Sequence, residues 1–129
     1  MTWLKLHFLA VFHAIRLRRE IARKRPLVPL SSKETRGRPS PEVVSTAFLA
    51  SRRAVRRLCP LDSCLSRSIV LHALLSSYEG VAVHYGFRRR DGEVEGHAWV
   101  TVDGVPVGER DGALDGYVET AMPSAAGAR

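Results

Sequence analysis

Residues 64–109 carry the clearest secondary-structure pattern in the chain and read CLSRSIVLHALLSSYEGVAVHYGFRRRDGEVEGHAWVTVDGVPVGE. Its first part, residues 64–78, is apolar on nearly every side of a helix, which predicts a buried central helix. Three segments with the alternation of strands follow: residues 81–88, 95–101 and 105–109. Turns are predicted between them, at residues 89–92 and 102–104. Helices followed by a small antiparallel sheet indicate an α+β domain.

Two further helices are predicted before this stretch. The N-terminal segment 1–28 contains an amphipathic helix over residues 3–24, and the prolines that follow it stop the helix. Large apolar side chains recur in this helix at helical spacing: Leu4, Phe8, Val11, Phe12 and Ile15. These side chains are expected to cover the core. A helix that lies on a membrane surface or docks a partner is the alternative.

A polar linker over residues 29–41 separates the first helix from the second. Ser40 is predicted to cap a helix that begins at Pro41 and runs to about Leu58. The polar side of this helix is basic and is expected to face solvent: Arg52, Arg53, Arg56 and Arg57.

Length and composition indicate one small globular domain. The chain has 129 residues, of which 45% are hydrophobic and 26% are charged, so wholesale disorder is excluded. We predict a core domain over residues 42–120 and a flexible tail over residues 121–129. Two cysteines exclude a disulfide-dense secreted scaffold, and no apolar run reaches the ~18 residues that cross a bilayer. Because no secretory signal is recognisable, the protein is expected to be cytoplasmic, with reduced thiols.

Charge is distributed unequally along the chain. The formal net charge is +7, to which residues 1–57 contribute +11 and residues 58–129 contribute −4. A basic half attracts polyanions such as nucleic acid, anionic lipid or an acidic peptide. The basic helices lack the patterns of sequence-specific nucleic-acid modules, so no specific nucleic acid is expected as a partner.

A reactive cysteine is predicted at the start of the central helix, where Cys64 lies. The amide groups and dipole of a helix N-terminus favour a thiolate, which is the reactive form of cysteine. A reactive thiolate needs a base, and both His84 and His97 lie on predicted strands that could pack against this helix. His97 is preferred because it shares its strand face with Trp99, whose large ring can exclude water.

The hairpin after His97 decides which carboxylate can orient it. If residues 102–104 form a three-residue loop, strand alternation places Glu109 beside His97 on the same face. If only residues 103–104 turn the chain, Glu109 lies on the opposite face. We prefer the three-residue loop because it gives the cysteine–histidine pair a carboxylate, and Asp111 is the reserve acceptor.

No metal or cofactor is predicted. Cys59 and Cys64 are five residues apart, and no second pair of ligands follows at a spacing typical of zinc sites. Cys59 is interpreted as a structural residue. The sequence has neither a phosphate-binding loop nor a dinucleotide fingerprint.

Two motifs resemble one known family. Residues 64–68 read C-L-S-R-S, and residues 97–100 read H-A-W-V before a V-D-G-V-P-V hairpin. In this spacing they resemble the leader-peptide protease of lasso-peptide biosynthesis, a small transglutaminase-like cysteine protease with a papain-like core. The resemblance covers residues 40–115 and extends to the N-terminal helix in arrangement only.

The resemblance implies a triad in which Cys64 is the nucleophile, His97 the general base and Glu109 the third member. The family typically has an aspartate where this sequence has Glu109. Neighbouring residues are implied to support or pack the triad: Arg67, Ser68 and Trp99.

The resemblance also implies a reaction and partners. The enzyme would cleave the leader from a precursor peptide, together with a separate small leader-recognition protein. It would then pass the core peptide to an asparagine-synthetase-like cyclase. Two other classes stay open: a transglutaminase-fold protein that binds peptide without cleaving it, and a small basic protein of nucleic acids or membrane surfaces.

Overall fold

The computed structural model describes residues 3–23, 36–59 and 63–120. Three helices come first: α1 (Trp3–Ala22), α2 (Pro41–Leu58) and α3 (Cys64–Leu75). Four strands follow: β1 (Val81–Arg90), β2 (Glu93–Val102), β3 (Val105–Pro106) and β4 (Val118–Thr120). The strands form one antiparallel sheet in the order β3-β2-β1-β4. The predicted α+β architecture is confirmed.

The central helix of the domain is α3. It packs against α1, α2 and both long strands. Seven of its 12 residues are buried: Ser66, Ser68, Ile69, Val70, Leu71, Leu74 and Leu75. The predicted buried helix is therefore confirmed, although it ends at Leu75 rather than at residue 78.

The bounds of α2 agree with the prediction. The Ser40 hydroxyl accepts a hydrogen bond from the N–H of Val43 at 3.2 Å, which caps the helix before Pro41. Small residues form most of its buried face: Ala47, Ala50, Ser51, Ala54 and Val55. All four arginines of its basic side are exposed, as predicted: Arg52, Arg53, Arg56 and Arg57.

The buried face of α1 is not the predicted one. Leu6, Ala10, Ala14 and Leu17 are at most 5% exposed and form its contact with the core. The larger side chains that were expected there are 40–73% exposed: Leu4, Phe8, Val11, Phe12 and Ile15. The prediction is wrong because α1 has two apolar faces. The face with alanines faces inward, since small side chains let α1 approach the alanine-rich face of α2.

Both hairpins turn through two residues. Backbone φ is positive at Asp91 and Gly92 (51° and 80°) and at Asp103 and Gly104 (50° and 79°). Two consecutive positive φ values define a type I′ turn, whose twist matches that of the paired strands. Val102 therefore pairs with Val105. The predicted three-residue loop is wrong.

The sheet also departs from the prediction at its edges. The third strand was predicted over residues 105–109 but ends at Pro106. The fourth strand, β4, pairs with β1 at Tyr85–Phe87 and was not predicted. Three residues are too few to show an alternating pattern in the sequence.

The described end of the linker, residues 36–40, is fixed by hydrogen bonds. The N–H of Arg36 donates to the Ser77 carbonyl at 2.7 Å, and Arg38 forms an ion pair with Asp103. The remainder of the predicted linker, the end of the N-terminal segment and the predicted tail lie outside the described residues. None of the described helices has the length and apolar character needed to span a membrane.

Candidate active site

A cavity of about 240 Å³ opens between the start of α3 and β2. Cys64, His97 and Glu109 all line this cavity. The residues that were expected to surround them line it as well: Arg67, Ser68 and Trp99. The structure thus brings together every site residue suggested by the sequence except Asp111, which is exposed and is not part of the cavity wall.

The cavity lies at the edge of β2 rather than on one face of the sheet. His97 and Trp99 project from one face of the strand, Ala98 and Val100 project from the other, and all four line the cavity. The short strand β3 pairs with only the last two residues of β2. No described strand covers the β2 edge beside His97, so side chains of α2 and α3 can reach it.

The thiol of Cys64 belongs to the first residue of α3. Ser63 caps the helix, because its hydroxyl accepts a hydrogen bond from the N–H of Ser66 at 3.2 Å. Nε of Arg67 donates to the Ser63 carbonyl at 3.2 Å, which holds the same turn from its other side. The N–H of Cys64 lies in the first turn, where amides have no acceptor within the helix. That amide is therefore placed to donate to a reacting oxygen.

A carboxylate orients His97. Nε2 of His97 lies 2.8 Å from Oε1 of Glu109, and the two side chains are 23% and 19% exposed. In the tautomer with a proton on Nε2, the Glu109 carboxylate accepts that proton, and Nδ1 is then the ring nitrogen that can exchange a proton with a thiol in the same cavity. This is the histidine–carboxylate half of the arrangement that the resemblance implies.

The contact between His97 and Glu109 forms although the predicted loop is wrong. The N–H of Val107 donates to the Val100 carbonyl at 2.9 Å, which continues the register of the two-residue turn. In that register Glu109 would lie on the opposite face of the sheet from His97. The chain instead leaves the strand path at Gly108, where φ is +72°.

Gly108 was not predicted as a residue of the site. A Cβ atom on it would lie 2.3 Å from Cε2 of Phe48, so a larger residue would displace the Phe48 ring, and the positive φ also favours glycine. The sequence does contain a signal for this break in the strand, because a glycine separates Val107, the last apolar residue of the third predicted strand, from Glu109. Phe48 and Ser51 of α2 also line the cavity and were likewise not predicted as site residues.

Aromatic rings pack around His97. The Trp99 ring stacks on it, with centroids 5.8 Å apart and planes 17° apart. The Tyr117 ring lies 5.6 Å away in a tilted orientation. Tyr117 lies in a weakly patterned part of the chain, and only its aromatic character could have suggested this contact.

The other strand histidine, His84, is engaged elsewhere. Its Nε2 lies 2.7 Å from the Thr101 hydroxyl, and its Nδ1 pairs with Glu119. Both ring nitrogens therefore have partners, and His84 does not line the cavity that contains Cys64. The geometry favours His97 as the base.

The remaining candidates for ligands do not cluster. Within residues 3–23, 36–59 and 63–120, no three histidine, cysteine or acidic side chains are grouped so that they could hold a metal ion. Cys59 is buried at the end of α2, with Sγ 3.5 Å from the Ala14 carbonyl oxygen. This contact joins α2 to α1.

Comparison with known proteins gives a family. No curated protein and no solved structure matches the chain. A family model described as the transglutaminase-like superfamily matches residues 6–122. The match begins within α1, ends just after β4 and includes Cys64, His97 and Glu109. The chain therefore belongs to the transglutaminase-like superfamily, and its three helices on a four-stranded antiparallel sheet are a transglutaminase-like domain.

Proposed function

We propose that this protein is a cysteine peptidase that removes the leader peptide from a lasso-peptide precursor. The superfamily includes cysteine peptidases. The observation that carries the proposal is the 2.8 Å contact of His97 with Glu109 in the wall of a cavity that also contains Cys64. The motifs at residues 64–68 and 97–100 support the more specific assignment to leader removal.

The proposed reaction is acyl transfer to water in two steps. The Cys64 thiolate attacks the carbonyl carbon of the peptide bond, and the N–H of Cys64 donates to the developing oxyanion. The C–N bond breaks, and protonated His97 transfers its proton to the departing amine. Water then attacks the thioester with His97 as general base, the C–S bond breaks, and the leader peptide leaves with a new carboxyl terminus.

The proposed reaction has proposed partners. The substrate is a precursor peptide, and a separate small leader-recognition protein presents it. An asparagine-synthetase-like cyclase consumes the released core peptide. We place these steps in the cytoplasm, as expected from the sequence.

The test uses a short precursor peptide encoded beside this gene, incubated with the chain and the neighbouring leader-binding protein. Mass spectrometry should detect two fragments whose masses add up to that of the precursor plus one water. Cys64→Ala should abolish cleavage while circular dichroism shows a folded protein. Cys59→Ala is the matched control, because it removes the other thiol, and it should retain cleavage. Cleavage by the Cys64→Ala variant would overturn the proposal.

We also propose that α1 contacts an anionic membrane surface. The exposed apolar side chains of α1, which include Phe8 and Phe12, support this proposal. Basic residues flank them, as they do on interfacial helices: Lys5, Arg16, Arg18, Arg19 and Arg23. The protein should sediment with vesicles that contain phosphatidylglycerol and much less with pure phosphatidylcholine vesicles. Phe8→Ser combined with Phe12→Ser should reduce sedimentation. Equal recovery of wild type and variant with the vesicles would contradict the contact.

A further inference from the structure

A second cavity adjoins the candidate active site. It has a volume of about 280 Å³ and is lined by Leu49, Arg52, Arg53 and Arg56 of α2 together with Arg67 of α3. Arg52 and Arg67 also line the cavity that contains Cys64, so the two cavities meet at these side chains. We call the second cavity the arginine groove.

The three arginines that α2 contributes to the arginine groove concentrate positive charge on one side of that helix. Residues 49, 52, 53 and 56 recur at the spacing of one helix face. None of the ion pairs formed among the described residues involves Arg52, Arg53 or Arg56. Glu109, a carboxylate in the wall of the adjoining cavity, is already paired with His97. The charge of these three α2 arginines is therefore available to an external anion.

Arg52 is held at the junction of the two cavities. Its guanidinium carbon lies 5.5 Å from the centre of the Phe48 ring, and the same ring packs against Gly108. Contact with an aromatic face restricts a guanidinium group and leaves its N–H groups directed outward. A peptide that passes from the arginine groove to the Cys64 thiol must pass Arg52.

We propose that the arginine groove binds acidic side chains of the peptide substrate beside the scissile bond. The proposal rests on the proposed peptidase function and adds the chemical class of the substrate. Guanidinium groups bind carboxylates through paired charge-assisted hydrogen bonds, which gives both attraction and orientation. Peptide is favoured over nucleic acid because the groove leads to a thiol and an imidazole, which are groups that act on acyl compounds.

The experiment measures how ligands protect Cys64 from alkylation by neutral iodoacetamide. The probe is an acetylated peptide of alternating glycine and glutamate, and the matched probe has glutamine in place of glutamate. Trypsin cleavage after Arg57 and Arg67 leaves both cysteines in one fragment, so tandem mass spectrometry assigns the label to Cys64. At about 50 mM salt the glutamate peptide should slow alkylation, and the glutamine peptide should not.

Variants locate the binding site. Arg52→Gln combined with Arg56→Gln should weaken protection by about tenfold or more, because two charged hydrogen-bonding groups are lost. Arg57→Gln is the control: Arg57 is on the same helix but lines a different groove, between α1 and α2, and protection should persist.

The proposal is overturned if the two peptides protect equally, if Arg57→Gln loses as much protection as the double variant, or if oligothymidylate protects as well as the glutamate peptide. Protection is measured as the rate of Cys64 alkylation, which does not require that the peptide be cleaved. A protein that is protected but cleaves no precursor would therefore refute the peptidase function alone, and a protein that cleaves without protection would refute the groove alone.

Discussion

At the residue scale, the position of the Glu109 carboxylate depends on the backbone of Gly108. The left-handed conformation there directs Glu109 to His97, and the Phe48 ring occupies the space of a side chain. We expect Gly108→Ala to displace Glu109 and to reduce kcat/KM for the precursor by about tenfold or more, since the orientation of the base is lost. Peptide cleavage assayed by mass spectrometry measures this loss.

Gly104→Ala provides the matched control for that substitution. Gly104 also has a positive φ, of 79°, but no atom lies within 4 Å of the added Cβ. Both variants should lose about 1–2 kcal/mol of stability from backbone strain alone, as measured by urea unfolding. If Gly104→Ala lowers kcat/KM as much as Gly108→Ala, strain rather than the position of Glu109 explains the effect.

The proposed role of Glu109 as the third member of the triad can be tested separately. Glu109→Ala removes the acceptor of His97 and should lower kcat by about 100-fold or more, because the imidazole loses its orientation and tautomer. Glu109→Gln keeps an acceptor oxygen and should lose less. Asp111→Asn should leave kcat unchanged, because Asp111 is exposed and lies outside the cavity wall. If the Glu109 substitutions leave kcat unchanged, the assignment of Glu109 is wrong.

The sequence allowed part of the site to be predicted at this scale. Cys64 was identified from a helix start and His97 from strand alternation, because both signals are local. The partnership of His97 with Glu109 was reached through a loop that the structure does not have. The backbone conformation of Gly108 compensates for the changed register, and the Phe48 ring that lies against it comes from 60 residues earlier in the chain.

At the element scale, the inward face of α1 differs from the face with the largest side chains. Leu6 is 1% exposed, whereas Phe8 is 73% exposed. Leu6→Ala should lower the free energy of unfolding by about 2–5 kcal/mol, because it leaves a cavity in the core. Phe8→Ala should change it by about 0.5 kcal/mol or less. Urea unfolding of the two variants checks this, and a larger loss for Phe8→Ala would contradict the observed orientation of α1.

The elements differ in how far their sequences define them. α2 was predicted with its observed bounds because Ser40, Pro41 and the break after Leu58 are strong local signals. The sequence could not predict which face of α1 is buried. Both faces are apolar, and the face with alanines is selected only by contact with another helix. β4 has only three residues and forms through its pairing with β1. The local sequence of β4 contains no pattern that predicts this pairing.

At the scale of the whole molecule, the candidate site lies where the two oppositely charged parts of the chain meet. Residues 1–57, with a net charge of +11, contribute Arg52 and the other α2 arginines. Residues 58–129, with a net charge of −4, contribute His97 and Glu109. The charge asymmetry is visible in the sequence. Its placement beside Cys64 depends on the packing of α2 against α3, which the sequence pattern does not specify.

Two histidines in the helical layer should make the stability of the whole domain depend on pH. Burial lowers the pKa of His13 and His72, and Arg16 lowers that of His13 further. Below about pH 6.5 the unfolded chain therefore binds more protons than the folded one, and stability falls as the pH decreases.

Each histidine should lower the free energy of unfolding by at most about 1.4 kcal/mol for each unit by which the pH decreases. His72 carries a buried Nδ1 that has no hydrogen-bond partner among the described residues, so its protonated form gains nothing in the fold. Urea unfolding at about pH 7.5 and pH 5.5 measures the loss. The variant with His13→Gln and His72→Gln should lose less stability between these pH values than the wild type. An equal loss in both proteins would show that other groups control the acid sensitivity of the fold.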